Sequence, residues 1–282
     1  MPRELPSFDL VVATVGRSEE LGRLLDSLEA QDYPSLRVLV VDQNEDESAA
    51  RQLAGRTLAL VHLRSAPGLS RARNVALEHL GGDIVAFPDD DCVYAPGLLH
   101  RVADRFADGT IDGLTGRSAD ATGQSGASWK TDATVLNGDN LWNRAISYTI
   151  FLRREVVERV GPFDERLGLG SGERWSSGEE IDYLIRAVRR GARIEYDPSL
   201  IVEHDVRADD ARIGFRDGAS IGYLLRKHAY PARVVGRMLV RPAGGALASL
   251  ARLDGDAARY RLATLRGRLR GYFGASRSKT SA

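Results

Sequence analysis

The sequence predicts an α/β fold built on a mostly parallel sheet. Three observations lead there: short β-branched runs alternate with helical runs through the first hundred residues, turn residues separate them, and acidic or polar residues follow several of the runs directly. Phe8–Thr14 is the first such run and reads as a strand. Leu21, Leu24, Leu25 and Leu28 then recur at helical spacing after Ser18, a suitable N-cap. Residues 38–41 form a second buried-strand run, followed by a polar patch over 42–48. Residues 58–63 read as a third strand. Ser70 suits the cap of a helix running to Leu80, where the Gly81-Gly82 pair ends it. Residues 84–87 are a fourth strand, and Leu98, Leu99, Val102 and Phe106 mark a helix after Pro96. On such a sheet, ligands sit at the carboxyl ends of the strands.

Residues 109–145 are rich in Gly, Ser, Thr, Asp and Asn and read as loops or weak strands. A short helix is expected over 153–160. A glycine-rich loop over 168–178 leads into a helix over 179–190 with Ile181, Leu184, Ile185 and Val188 inward. Residues 194–196 and 200–202 read as closing strands.

Charge divides the 282 residues more sharply than length does. Residues 1–206 hold 23 Lys+Arg against 34 Asp+Glu, a net of −11; residues 207–282 hold 16 against 5, a net of +11. The expected division is therefore an acidic α/β domain over 1–206 and a basic, amphipathic helical region over 207–282. Within the latter, arginines recur every four residues across 233–241, opposite Val234, Val235, Met238 and Leu239. Across 259–273, Leu262, Leu265 and Leu269 line one face and arginines the other. The region reads either as a docking face for an anionic membrane surface or as a plain helical subdomain with solvated arginines. Nucleic acid is not an expected partner, because aromatic residues for base stacking are few there. The single cysteine, Cys92, allows no internal disulfide and fits a reducing compartment. The start of the chain carries no apolar secretory segment, and no run of about 18 apolar residues spans a bilayer. The expected location is cytoplasmic, peripheral on the inner face of the membrane if a membrane is involved.

Several residues carry chemistry. Asp89, Asp90 and Asp91 follow the fourth strand, and three adjacent carboxylates need a counter-charge, which a hard divalent cation supplies. An acidic turn before the next helix is the other reading. Glu179, Glu180 and Asp182 open a helix; they either complement its dipole or supply a general base. Asp42 ends the second strand, as a turn residue or as an acceptor for a base or ribose. Ser70, Arg71, Arg73 and Asn74 offer donors at a helix start, and His204 follows a late strand between Glu203 and Asp205.

In this order and spacing the chain resembles the family 2 glycosyltransferases of the GT-A fold, over roughly residues 8–206. The resemblance rests on Ala13-Thr14, Val-Val-Asp42-Gln-Asn, Gly68-Leu-Ser-Arg-Ala-Arg73-Asn74, Phe87-Pro-Asp89-Asp-Asp91, Arg153-Arg154 through Gly161-Pro-Phe163-Asp164-Glu165, and Gly178-Glu179-Glu180-Ile-Asp182. It implies an inverting, metal-dependent transfer from a nucleoside-diphosphate sugar, UDP or dTDP, to a saccharide, lipid-linked or small-molecule acceptor. Thr14, Asp42, Arg73, Asn74, Asp89 and Asp90 would bind the nucleotide. Asp89, Asp91 and His204 would hold Mg2+ or Mn2+, Asp91 directly. Glu180 would be the base, where the family usually has Asp, which leaves Glu179 and Asp182 as alternatives. The segment from Ala145 to Phe151 also departs from the Asn- and Gly-rich stretch common in relatives. A non-catalytic sugar- or nucleotide-binding scaffold on the same fold is the competing reading. A sugar-1-phosphate nucleotidylyltransferase and a dinucleotide oxidoreductase are disfavoured: the loop after the first strand reads Val15-Gly16-Arg17-Ser18, with neither a phosphate loop nor Gly-x-Gly-x-x-Gly.

Overall fold

The structure, a computed structural model, describes residues 5–126, 129–205 and 210–274. The chain divides into two compact units. The first comprises Met1–Phe163 and Tyr183–Val206; the second comprises Asp164–Asp182 and Arg207–Ala282. The structure thereby groups the glycine-rich segment 164–182 with the C-terminal helices.

The first unit is an eight-stranded sheet in the order β3 (Ala59–Arg64), β2 (Leu36–Asp42), β1 (Phe8–Thr14), β4 (Ile84–Ala86), β7 (Ile150–Arg153), β5 (Gly113–Ala119), β8 (Ile194–Glu203), β6 (Thr134–Val135). Strands β1, β2, β3 and β4 run parallel. Their central members are apolar at consecutive positions because helices cover both faces; Leu10, Val11 and Val12 are all fully buried. The crossovers are α1 (Ser18–Glu29), α2 (Ser48–Leu53) and α3 (Leu69–Leu77), and α4 (Leu98–Phe106) follows β4. Leu21, Leu24, Leu25 and Leu28 form the buried stripe of α1, as their spacing requires. The short helix α2 lies in what reads as a polar patch: its Ala49 is the only fully buried position in six residues, too little for a visible period.

Beyond β4 the sheet becomes mixed. Strand β7 is antiparallel to both β4 and β5. Strand β8 is parallel to β5, and the two-residue β6 closes the edge. The two expected closing strands are thus one, continuous through Pro198 with a register shift opposite Thr115 and Arg117. Gly116 sits at that shift, where a Cβ would overlap the carbonyl oxygen of Leu200; no other residue fits. Helix α5 spans Arg154–Val160, and α6 spans Glu179–Arg189.

The second unit contains α7 (Ala211–Lys227), α8 (Ala232–Ala251) and α9 (Gly255–Gly274). Helices α7 and α9 touch along their backbones. A Cβ on Gly218 would overlap the Thr264 carbonyl, and one on Gly271 the Ala219 carbonyl. Glycine at these positions therefore serves close approach, although it costs helix propensity. Among the described residues, no helix is long and apolar enough to cross a membrane.

Candidate functional site

The chemistry-bearing residues of the first unit follow from the strand ends. Asp89 forms a parallel bridge with Ala13, and the Gln43 amide donates to the Thr14 carbonyl. The exits of β1, β2 and β4 are thereby aligned at one edge of the sheet, where side chains are released from packing. A second bridge joins Val93 to Glu203, with both backbone hydrogen bonds made (2.9 and 3.1 Å). That bridge delivers His204 to the acidic turn. Nε2 of His204 lies 3.1 Å from Oδ1 of Asp91. Ligand atoms of Asp89, Asp91 and His204 all fall within 4.8 Å of one another.

The environment of this cluster is charged and partly buried. Arg17 reaches in from the loop after β1, its Nη1 donating to Asp90 (3.1 Å) and Asp91 (2.5 Å). Asp89 accepts from Nη2 of Arg73 (3.2 Å) and from the Ser147 hydroxyl (3.0 Å). Arg73 is 1% exposed, an extreme burial for a guanidinium, and its charge lies over the rings of Phe87 and Phe163. Burial pushes the Asp90 carboxyl up to about 6 despite the nearby Arg17 charge. Burial alone would lower the His204 pKa, but the contact with Asp91 outweighs it and holds the imidazolium above its ordinary value. The His204 ring is stacked flat on Tyr148, with centroids 4.7 Å apart and planes 1° from parallel. Its Nδ1 faces the Asp205 carbonyl at 2.8 Å. A neutral ring with Nδ1–H donated to a carbonyl presents Nε2 as a ligand atom. Two carboxylate oxygens and this nitrogen are a donor set that fits Mg2+ or Mn2+.

At the neighbouring strand ends, Thr14 and Asp42 are both buried. Asp42 is fully engaged by its own chain. One carboxylate oxygen accepts from the backbone and side-chain nitrogens of Asn44; the other faces His62 (3.1 Å) and Arg64 (3.0 Å). Asn74 holds the Phe163 backbone at both ends of its amide, donating to the carbonyl (3.1 Å) and accepting from the N–H (2.7 Å).

In the second unit, α6 opens with three acids of unequal exposure. Glu179 is buried, Glu180 is half-buried and Asp182 has no exposed surface. Asp182 accepts from Lys227 (2.5 Å) and lies 2.7 Å from Nε2 of His228. Asp164 accepts from Arg166 through two nitrogens and from Lys227 (2.8 Å). Burial works against its ionisation, yet these cations hold the Asp164 carboxyl well below the usual range.

The structure thus joins Asp89, Asp91 and His204, as the sequence reading expects, and adds Arg17, Ser147 and Tyr148. Arg17 carries a legible signal, being an arginine in a strand-exit loop. Ser147, Tyr148, Lys227 and His228 carry none, since each reaches its partner only through long-range packing.

Comparison with known proteins identifies the family and the fold. The model of the family described as glycosyl transferase family 2 matches residues 9–161. Glycosyltransferase AglE of Haloferax volcanii is 28% identical over 240 residues, which is 80% of this chain and 72% of that protein. Among solved structures, mannosyltransferase PcManGT from Pyrobaculum calidifontis, in complex with GDP-Man and Mn2+, superposes with a TM-score of 0.67 at 16% identity, covering 98% of this chain and 89% of that one. Staphylococcus aureus TarS 1–349 in complex with UDP-GlcNAc superposes at 0.59 with 19% identity, covering 93% and 92%. The sheet with its flanking helices is a GT-A fold, and the chain belongs to glycosyl transferase family 2.

Proposed function

We propose that this glycosyltransferase is metal-dependent and inverting, and that it moves a sugar from UDP or dTDP to a hydroxyl of a saccharide, lipid-linked or small-molecule acceptor. The observation that carries the reading is the convergence of Asp89, Asp91 and His204 at the strand exits. A divalent cation held by these three residues supplies Lewis-acid neutralisation of the diphosphate leaving group. The chain's own residues account for the remaining steps. Arg17 and Arg73 already stand against the acidic turn and offer guanidinium donors to diphosphate oxygens. Thr14 and Asp42 receive the nucleobase, whose N–H takes the place of Arg64 on Asp42, Arg64 being the most exposed of that carboxylate's partners.

Glu180 takes the proton of the acceptor hydroxyl. Of the three acids at the start of α6, Glu179 and Asp182 are buried and Glu180 is half-buried, so Glu180 has the access to an acceptor that a base requires. The acceptor oxygen forms its bond to the anomeric carbon as the bond from that carbon to the diphosphate oxygen breaks, and the nucleoside diphosphate departs. One displacement inverts configuration. NMR of the product's anomeric proton tests this directly: an inverted linkage is expected, and a retained one overturns the assignment of a base.

The basic region, 207–282, fits peripheral docking on the anionic inner face of a membrane. Arg259, Leu262, Arg266, Leu269, Arg270 and Phe273 recur at helical spacing on exposed positions of α9, so cations and apolar groups share one face instead of segregating to opposite faces as the spacing suggests. Flotation with phosphatidylglycerol vesicles, but not with phosphatidylcholine ones, is expected, and Leu269→Asp with Phe273→Asp should abolish it. Equal flotation of that variant contradicts the docking.

A further inference from the structure

Helix α7 presents one face to the glycine-rich segment 164–182. Asp217, Ser220, Leu224 and Lys227 follow one another at three- and four-residue intervals, with Tyr223 beside Leu224. Ser177 donates its hydroxyl to Asp217 (3.1 Å) and its backbone N–H to the Ser220 hydroxyl (3.2 Å). Trp175 stacks on Tyr223 with planes 15° apart. Leu224 lies against Gly178, whose φ of 83° only glycine adopts without strain. At the end of this face, Nζ of Lys227 reaches Asp164 (2.8 Å) and Asp182 (2.5 Å) together. These two aspartates are the first and last residues of the segment.

We propose that Lys227 is a positioning residue that staples the two ends of the 164–182 segment and so fixes Glu179 and Glu180 at its exit. The inference rests on the reading of Glu180 as base. A loop rich in glycine loses much chain entropy when its ends are held. One partly buried ammonium shared by two carboxylates offsets part of that cost and part of their mutual repulsion. His228 braces Asp182 from the next position. The acidic first turn of α6 then has a fixed entry angle, which a base requires, because a displacement of about 1 Å costs roughly a hundredfold in rate.

The test compares Lys227→Met, Lys227→Arg and Glu180→Gln in the full chain. Nucleoside-diphosphate release is followed with a panel of UDP-, dTDP- and GDP-sugars, and amide hydrogen exchange is mapped over 164–182. Lys227→Met is expected to lower kcat about 10- to 100-fold, to raise exchange within 164–182, and to leave the Mn2+-dependent thermal shift with the free nucleotide unchanged. Lys227→Arg should recover most of the rate. If Lys227→Met fails to fold, Asp164→Asn, which releases one end of the staple and leaves Lys227 on Asp182, is expected to raise the same exchange. Unchanged kcat and exchange in a folded Lys227→Met overturn the staple. Full turnover by Glu180→Gln overturns the base assignment instead, so the two failures are distinguishable.

Discussion

His204 Nε2 and Asp91 Oδ1 stand 3.1 Å apart because the backbone bridge between Val93 and Glu203 brings a late strand onto the acidic turn. The stack on Tyr148 and the Asp205 carbonyl then leave the imidazole a single orientation. The nitrogen ligand of the proposed metal site is thus set by sheet pairing and packing before any ion arrives, which is how a weakly binding cation gains a preorganised site.

His204→Ala is expected to weaken Mn2+ binding at least tenfold by isothermal titration, in line with the loss of a ligand. The melting temperature without metal should move by only about 2–4 °C, the shift that roughly 1 kcal/mol produces in a chain of this size.

Glu180→Gln is expected to lower turnover by about 10²- to 10⁴-fold, the usual contribution of general-base catalysis, with nucleotide affinity kept. Asp182→Asn should act differently. It removes the acceptor shared by Lys227 and His228 from a site with no exposed surface, and the expected cost is about 3 kcal/mol of stability, read from denaturant midpoints.

Much of the site is legible in the sequence because its acids follow strands directly: Asp42 closes β2, Asp89–Asp91 follow β4, and His204 follows β8. Short apolar and β-branched runs locate those strand ends. What escapes that reading is whatever lacks a period or a neighbour in sequence. Helix α2 is too short to show a face, β8 continues through a proline, and the α7 partners of the loop, Lys227 and His228, meet Asp182 only after the helices assemble. The membership of 164–182 in the second unit is invisible for the same reason, being a property of contacts and not of composition.

Asp9 offers a test of the core that is separate from catalysis. It is 1% exposed, accepts from Nε and Nη2 of Arg37 (2.8 and 2.7 Å) and from the amides of Gly81 and Gly82. Burial disfavours its charge, but Arg37 and the two amides outweigh that and hold the carboxyl below its ordinary value. A depressed native pKa contributes stability that is present above the unfolded value, about 3.9, and lost as pH falls through the native one. The urea midpoint of the native protein should therefore drop between pH 5 and pH 3 more steeply than that of Asp9→Asn. At pH 7 the variant should be about 3 kcal/mol less stable.

The α7–α9 contact gives a steric prediction. Gly271→Ala places a methyl on the Ala219 carbonyl and should lower the melting midpoint by several degrees, with a cost of about 3 kcal/mol from backbone displacement. Gly236→Ala, on α8 where nothing lies within 4 Å, should leave the midpoint unchanged or raise it, since it gains up to about 1 kcal/mol of helix propensity.

The central claim, a metal-assisted nucleotide site at the strand exits, is tested most directly by thermal shift with UDP, dTDP and GDP, each with and without Mn2+. Binding to the folded state alone adds about 2.7 kcal/mol at a hundredfold excess over Kd. A shift with one nucleotide that requires Mn2+ and vanishes in Asp91→Ala is the predicted result. No Mn2+-dependent shift with any of the three, or an equal shift in Asp91→Ala, would contradict it.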